Sequence, residues 1–162
     1  MFEGEELGLE NAEIPADRVV DPGGRDGERA PIPWTPAPDH GWGVDDPWLP
    51  WPPKPDVRNV EAEQADTNSV LHLYRRLLTA RRNSPALQVG SWQAVDAPKG
   101  VLAYERSQGD DRRVVIVNFT GEEQQVRVDG TWIVEVASDG SGEGSTFAGS
   151  VGPDGAVILQ LS

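Results

Sequence analysis

The residues best suited to bind something are Arg25, Asp26 and Arg29, set in the glycine-rich run Gly23-Gly24-Arg25-Asp26-Gly27-Glu28-Arg29. A guanidinium is a rigid fork of donors that can grip a carboxylate or a pair of vicinal hydroxyls. Glycines beside it let the backbone approach a ligand closely. The same residue types also make ordinary surface ion-pair clusters, and taken alone they leave both readings open.

Other candidates for chemistry are weaker. Glu5 and Glu6 form a carboxylate pair of the kind glycosidases use, but neighbours on an extended strand point to opposite faces and cannot flank one bond. His40 and His72 are the only histidines. Neither has metal-ligand spacing, and solvated side chains are expected for both. Glu105 is an isolated acid on an expected strand. No strand-to-helix nucleophile elbow is present. With no cysteine in the chain, thiolate catalysis, disulfides and cysteine-based zinc sites are excluded together. No cofactor and no metal are expected.

The net charge of −13 repels phosphate backbones, so nucleic acid is not expected as a partner. No apolar run is long enough to span a bilayer, and Met1 to Glu6 lack the basic start and apolar stretch of a signal peptide. A cytoplasmic protein without membrane contact is expected. Hydrophobic residues make up 37% of the chain, enough for a modest core.

Several elements must position these residues. Between Pro15 and Pro55 the chain is dense in Pro, Gly, Asp and Trp without periodicity, which predicts a long irregular loop. Such a loop is uncommon unless it is functional or covers something. Trp34, Trp42, Trp48 and Trp51 suit packing of the loop, or alternatively an aromatic platform for sugar rings. A helix is predicted over about 67–82, with Thr67, Asn68 or Ser69 as N-cap candidates and one apolar face of Val70, Leu71, Tyr74, Leu77 and Leu78. Arg81 and Arg82 suit its C-terminal dipole, and Pro85 marks its end. Beyond Gly90, strands are predicted over 91–96, 101–107, 112–119, 124–128, 132–138 and 156–161. Bends fall at Ala97-Pro98-Lys99-Gly100, Gln108-Gly109-Asp110-Asp111 and Asp129-Gly130. Residues 114–119 are nearly all apolar and fit a central strand. The spacing favours an antiparallel sandwich.

The run from Gly23 to Trp34, with Gly4-Glu5-Glu6-Leu7-Gly8 before it and Pro47-Trp48-Leu49-Pro50-Trp51 after it, resembles the α-glucosidase and oligo-1,6-glucosidase branch of the α-amylase superfamily, glycoside hydrolase family 13. The family has Gln-Gly-Glu-Glu-Leu-Gly where Glu3 stands here in place of glutamine. The resemblance implies a mainly β chain: a C-terminal antiparallel β-sandwich preceded by a remnant of a (β/α)8 barrel. Residues 1–84 would hold the end of barrel strand eight, its loop and the last barrel helix, and residues 85–162 the sandwich. A whole barrel takes about 250 residues and does not fit.

By the same resemblance, Arg25 contacts the non-reducing glucose in the innermost subsite, and Asp26 and Arg29 shape the pocket or its rim. The family's retaining hydrolysis uses an aspartate nucleophile, a glutamate acid/base and a second aspartate. Their motifs are absent from this sequence, so no residue here inherits a catalytic role. The chain is then expected to be the C-terminal fragment of an α-glucosidase, without catalysis alone, and meeting α-glucosidic oligosaccharides only within a complete barrel. Residues 1–66 would be poorly ordered in isolation and the helix stripe exposed. The alternative is a stand-alone β-sandwich module binding an α-glucan or a partner protein.

Overall fold

Residues 2–162 are described in a computed structural model of the chain. Among these residues three α-helices, α1 (Val60–Ala65), α2 (Val70–Asn83) and α3 (Pro85–Val89), precede seven strands: β1 (Ser91–Ala94), β2 (Val101–Gln108), β3 (Asp111–Asn118), β4 (Gln124–Gln125), β5 (Trp132–Ala137), β6 (Ser150–Val151) and β7 (Ala156–Leu161). Contacts divide the chain into two units, one running to Tyr74 and the other from Arg75 to Ser162. The division falls inside α2.

In the second unit, five strands pair antiparallel in the order β1-β2-β3-β7-β5, and β4 pairs with β6 in a small second sheet. β3 is central, as its apolar run predicts. The β2–β3 hairpin closes through Gly109-Asp110, with Gln108 opposite Asp111. Strand alternation puts Val114 and Ile116 on the core face, where they meet Leu159 and Val157 across the β3–β7 register. Val126 and Val151 bring the second sheet into the same core, which also holds Ala103, Trp132, Val134 and Ala137. Each fully buried Ile, Leu or Val contributes roughly 1.5–3 kcal/mol. Mainly β, antiparallel architecture therefore stands as expected.

A bulge in β5 changes which side chains face the core. Val134 pairs with Leu159 and Val136 with Ile158, so Glu135 is an extra residue in the ladder. Trp132, Val134 and then Ala137 join the core, and the Glu135 carboxylate accepts from Arg113 Nε at 2.6 Å. Arg113, only 6% exposed, also pairs with Asp111. Asp111 in turn accepts from Ser84 Oγ at 2.6 Å and from the Ala86 amide at 2.8 Å, tying the start of α3 to the hairpin. Burial pushes the Asp111 carboxyl up, but the bonds from Ser84 and Ala86 and the Arg113 charge outweigh it and hold it below the usual range.

Several local expectations are corrected. Glu5 and Glu6 lie not on an extended strand but in the 3-10 turn Glu5–Leu7, between two glycines at φ 89° and 60°, a left-handed conformation that suits glycine at both ends. Helix α1 and strand β6 lie outside the predicted elements, both too short to show a period. Pro85 ends α2 but also opens α3, where Ser84 is the N-cap and accepts from Leu87 N at 3.2 Å. Of the three α2 cap candidates Ser69 serves, its Oγ accepting from the His72 amide. Along the α2 stripe, Leu71, Tyr74 and Leu77 are half-buried while Val70 and Leu78 are exposed. Among the described residues no helix is long and apolar enough to cross a membrane.

Candidate functional site

In the first unit the chain from Leu9 to Asn59 runs through short turns, held by side chains bonded to backbone and by backbone bonds between loop segments such as Val60 N to the Pro33 carbonyl. Buried Asn59 caps α1 by accepting from Ala62 N at 2.9 Å and donates to the carbonyls of Pro55 and Asp56. Leu7, Leu49, Pro33 and Pro52 are its buried apolar anchors. Trp34, Trp42 and Trp48 are exposed, and Trp51 is half-buried. His40 is buried, not solvated as expected: its ring meets Trp51 edge to face at 4.6 Å, and Nδ1 lies 3.1 Å from the Thr35 carbonyl. A loop folded back by the bond from Trp34 N to His40 O encloses the imidazole. His72 is partly exposed, with Nε2 3.2 Å from the Gln64 carbonyl.

The Arg25 cluster sits at the end of a tight turn. Gly24 N donates to the Asp21 carbonyl, and Gly23 N to Asp21 Oδ1 at 2.8 Å. The chain then enters the 3-10 turn Asp26–Arg29. Arg25 reaches back across this turn, Nε donating to Asp21 Oδ2 at 2.7 Å and Nη2 to Oδ1 at 3.3 Å. Arg29 Nη2 lies 3.3 Å from the same Oδ2. One buried carboxylate thus holds two half-exposed guanidiniums. The Arg25 hydrogen bond foremost, with the Gly23 amide and the two arginine charges, overcomes burial and lowers the Asp21 carboxyl to about 2. Asp21 reciprocally raises the Arg25 guanidinium.

Asp26 faces inward. It is 3% exposed, and its Oδ2 accepts from the amides of Val20 and Asp21 at 2.7 and 2.8 Å. It staples the turn that carries Asp21. Gly27 permits the close approach of a neighbouring segment: a Cβ there would lie 2.5 Å from the Ala12 carbonyl, and Ala12 N bonds Gly27 O. Arg25, Asp26 and Arg29 are therefore brought together by sequence neighbourhood. The member missing from the sequence reading is Asp21, whose signal was an aspartate opening Asp-Pro-Gly-Gly four residues before the arginine.

Glu5 and Glu6 do not face each other across a cleft. Each carboxylate accepts from a nearby amide, Glu5 from Phe2 N and Glu6 from Gly4 N. A cavity of about 280 Å³ opens beside them, lined in part by Glu10, Asn11 and Glu28 and not by the arginines. Glu105 is held by both ends of the Arg112 fork at 2.7 and 2.8 Å. No group of three His, Cys, Asp or Glu side chains suited to a metal is found among the described residues.

The family model for the α-amylase catalytic domain matches residues 1–90. A curated relative, the "Probable alpha-glucosidase" of Rhizobium meliloti, is 35% identical over 131 residues, 75% of this chain and 24% of that protein. The chain thus spans about a quarter of the length of the curated relatives it matches. Among solved structures, trehalulose synthase MutB from Pseudomonas mesoacidophila superposes with a TM-score of 0.83 at 27% identity, over 100% of this chain and 35% of its own. The α-glucosyl transfer enzyme XgtA does so with a TM-score of 0.79 at 30% identity, over 100% of this chain and 32% of its own. The match over the segment that carries Arg25, together with relatives that are α-glucosidases by name, places this chain in the α-amylase family, glycoside hydrolase family 13.

Proposed function

We propose that this chain is the C-terminal part of an enzyme acting on α-glucosidic oligosaccharides, supplying a sugar contact and a β-domain rather than the bond-breaking groups. The observation that carries this is the Asp21–Arg25–Arg29 cluster within the segment that the catalytic-domain family matches. In that reading Arg25 donates to glucose hydroxyls, Arg29 forms the rim, and Asp26 shapes the loop from within. The first unit, with its turn and loop, is then the remnant of a (β/α)8 barrel. The carboxylates of Glu5 and Glu6 are engaged by backbone amides, which leaves them unsuited to act as a catalytic pair.

A second reading rests on the second unit, which has its own continuous core and five-stranded sheet. It could then serve as an independent module binding an α-glucan or a partner protein.

The deciding experiment detects the native polypeptide in the source cell with an antibody against the β-domain and measures its intact mass. A product far above 17.6 kDa supports the enzyme reading, whereas a stable product at 17.6 kDa overturns it in favour of the module. In parallel, the 162-residue chain is expected to show no hydrolysis of α-glucosides. Turnover by this chain alone would refute the division of labour.

A further inference from the structure

An arginine on a surface loop has many rotamers to lose on binding, so a recognition role requires something to aim it. Arg25 has such a partner. Its Nε and Nη2 are engaged by the two oxygens of Asp21, itself buried, while Nη1 has no partner among the described residues and the side chain is 59% exposed. The fork is gripped along one edge and open along the other.

Carboxylates around the fork outnumber the cations. Arg25 and Arg29 are faced by Asp21, and the charges of Asp26 and Glu28 also reach Arg25. Two cations among three carboxylates offer little net attraction to an anion. They still offer hydrogen-bond donors to a neutral ligand.

We propose that Asp21 is the positioning residue of the Arg25 fork, fixing its outward edge and compensating its charge, so that it takes the vicinal hydroxyls of a neutral sugar rather than a sugar phosphate. This rests on the reading of Arg25 as a sugar contact. Asp21 touches no ligand itself and acts only through Arg25. The lowered Asp21 carboxyl agrees with a bond kept throughout the neutral range.

The test uses nitrogen-resolved NMR of arginine side chains in the 162-residue chain, with inorganic phosphate as the anion probe. In the parent chain the Arg25 Nε proton is expected to exchange about tenfold more slowly than in Asp21→Asn. Phosphate should leave the parent's Arg25 and Arg29 signals unmoved and shift them in Asp21→Asn. Asp21→Glu should recover part of the protection. The amides of Val20 and Asp21, held by Asp26, report that the turn is intact. Should Asp21→Asn unravel the turn, Arg25→Lys leaves the aspartate in place, and the Asp21 carboxyl should then titrate above about 2. Equal exchange in parent and Asp21→Asn, an equal phosphate response in both, or an unchanged Asp21 titration in Arg25→Lys each overturns the proposal. None of these signals depends on a longer parent enzyme, so their failure is distinct from a native mass of 17.6 kDa.

Discussion

The two units are built on different principles. From Arg75 onward the chain gains order from long ladders between distant residues and one apolar core, with Ile116 and Leu159 at 0% exposure. In the unit that ends at Tyr74, side-chain bonds to backbone such as those of Asn59, Asp26 and Asp39 join scattered backbone bonds between loops, around a few buried anchors. Loss of one ladder rung is shared by its neighbours. Loss of one staple falls on a turn held by only a few bonds, so its effect stays local and the turn opens more easily than a ladder does.

The contrast is most directly broken at the centre of the sheet. Ile116→Ala leaves a cavity in the core and should cost about 2–5 kcal/mol, read as a lower urea midpoint of the β-domain. A loss below 1 kcal/mol would mean that the core collapses around the gap.

In the first unit the corresponding change is Asn59→Ala, which strands the Pro55 and Asp56 carbonyls and uncaps α1. A local loss of about 1–3 kcal/mol is expected. Hydrogen exchange should accelerate across 55–65 with the amides of β3 unchanged. Acceleration in β3 as well would show the two units to be one cooperative body.

Acid separates the units by their aspartates. Asp21 titrates near 2, below the value of about 3.9 expected unfolded. Its contribution is complete above the unfolded value and fades as the pH falls from about 4 toward 2. Asp111, also lowered, loses its contribution in the same direction, but the readout differs. Exchange at the turn of 20–24 should follow Asp21, and exchange at the start of α3 should follow Asp111. A turn equally protected at pH 5 and pH 2 would contradict the Asp21 clamp.

The smallest effect is expected at Arg112. Its fork on Glu105 is well formed but 42% exposed, so Arg112→Ala should cost under about 1 kcal/mol, with somewhat more if contact with the Trp132 ring contributes. Thermal melts at low and high salt distinguish the two, since only the ion pair is screened.

How much was legible beforehand follows the same division. The central strand, the Gly109-Asp110 hairpin and the limits of α2 could be read because period and turn chemistry are local. The Arg25 run was legible as a motif, and its neighbourhood in sequence brought Arg25, Asp26 and Arg29 together. Their roles were not separable: nothing in the residue types says that Asp26 turns inward to the amides of Val20 and Asp21 while Arg25 turns out.

By itself, then, the sequence determined the mainly β second unit, its turns, the family motif and the absence of thiol chemistry, because each depends on residue types at short spacing. Only the tertiary structure decided that His40 is enclosed against Trp51, that β6 pairs with β4, and that the β5 bulge turns Glu135 to Arg113. It also decided that one aspartate, Asp21, governs both arginines. Those outcomes depend on which distant or folded-back segments come within bonding distance, and the free energy of such contacts is distributed over both partners rather than written in either.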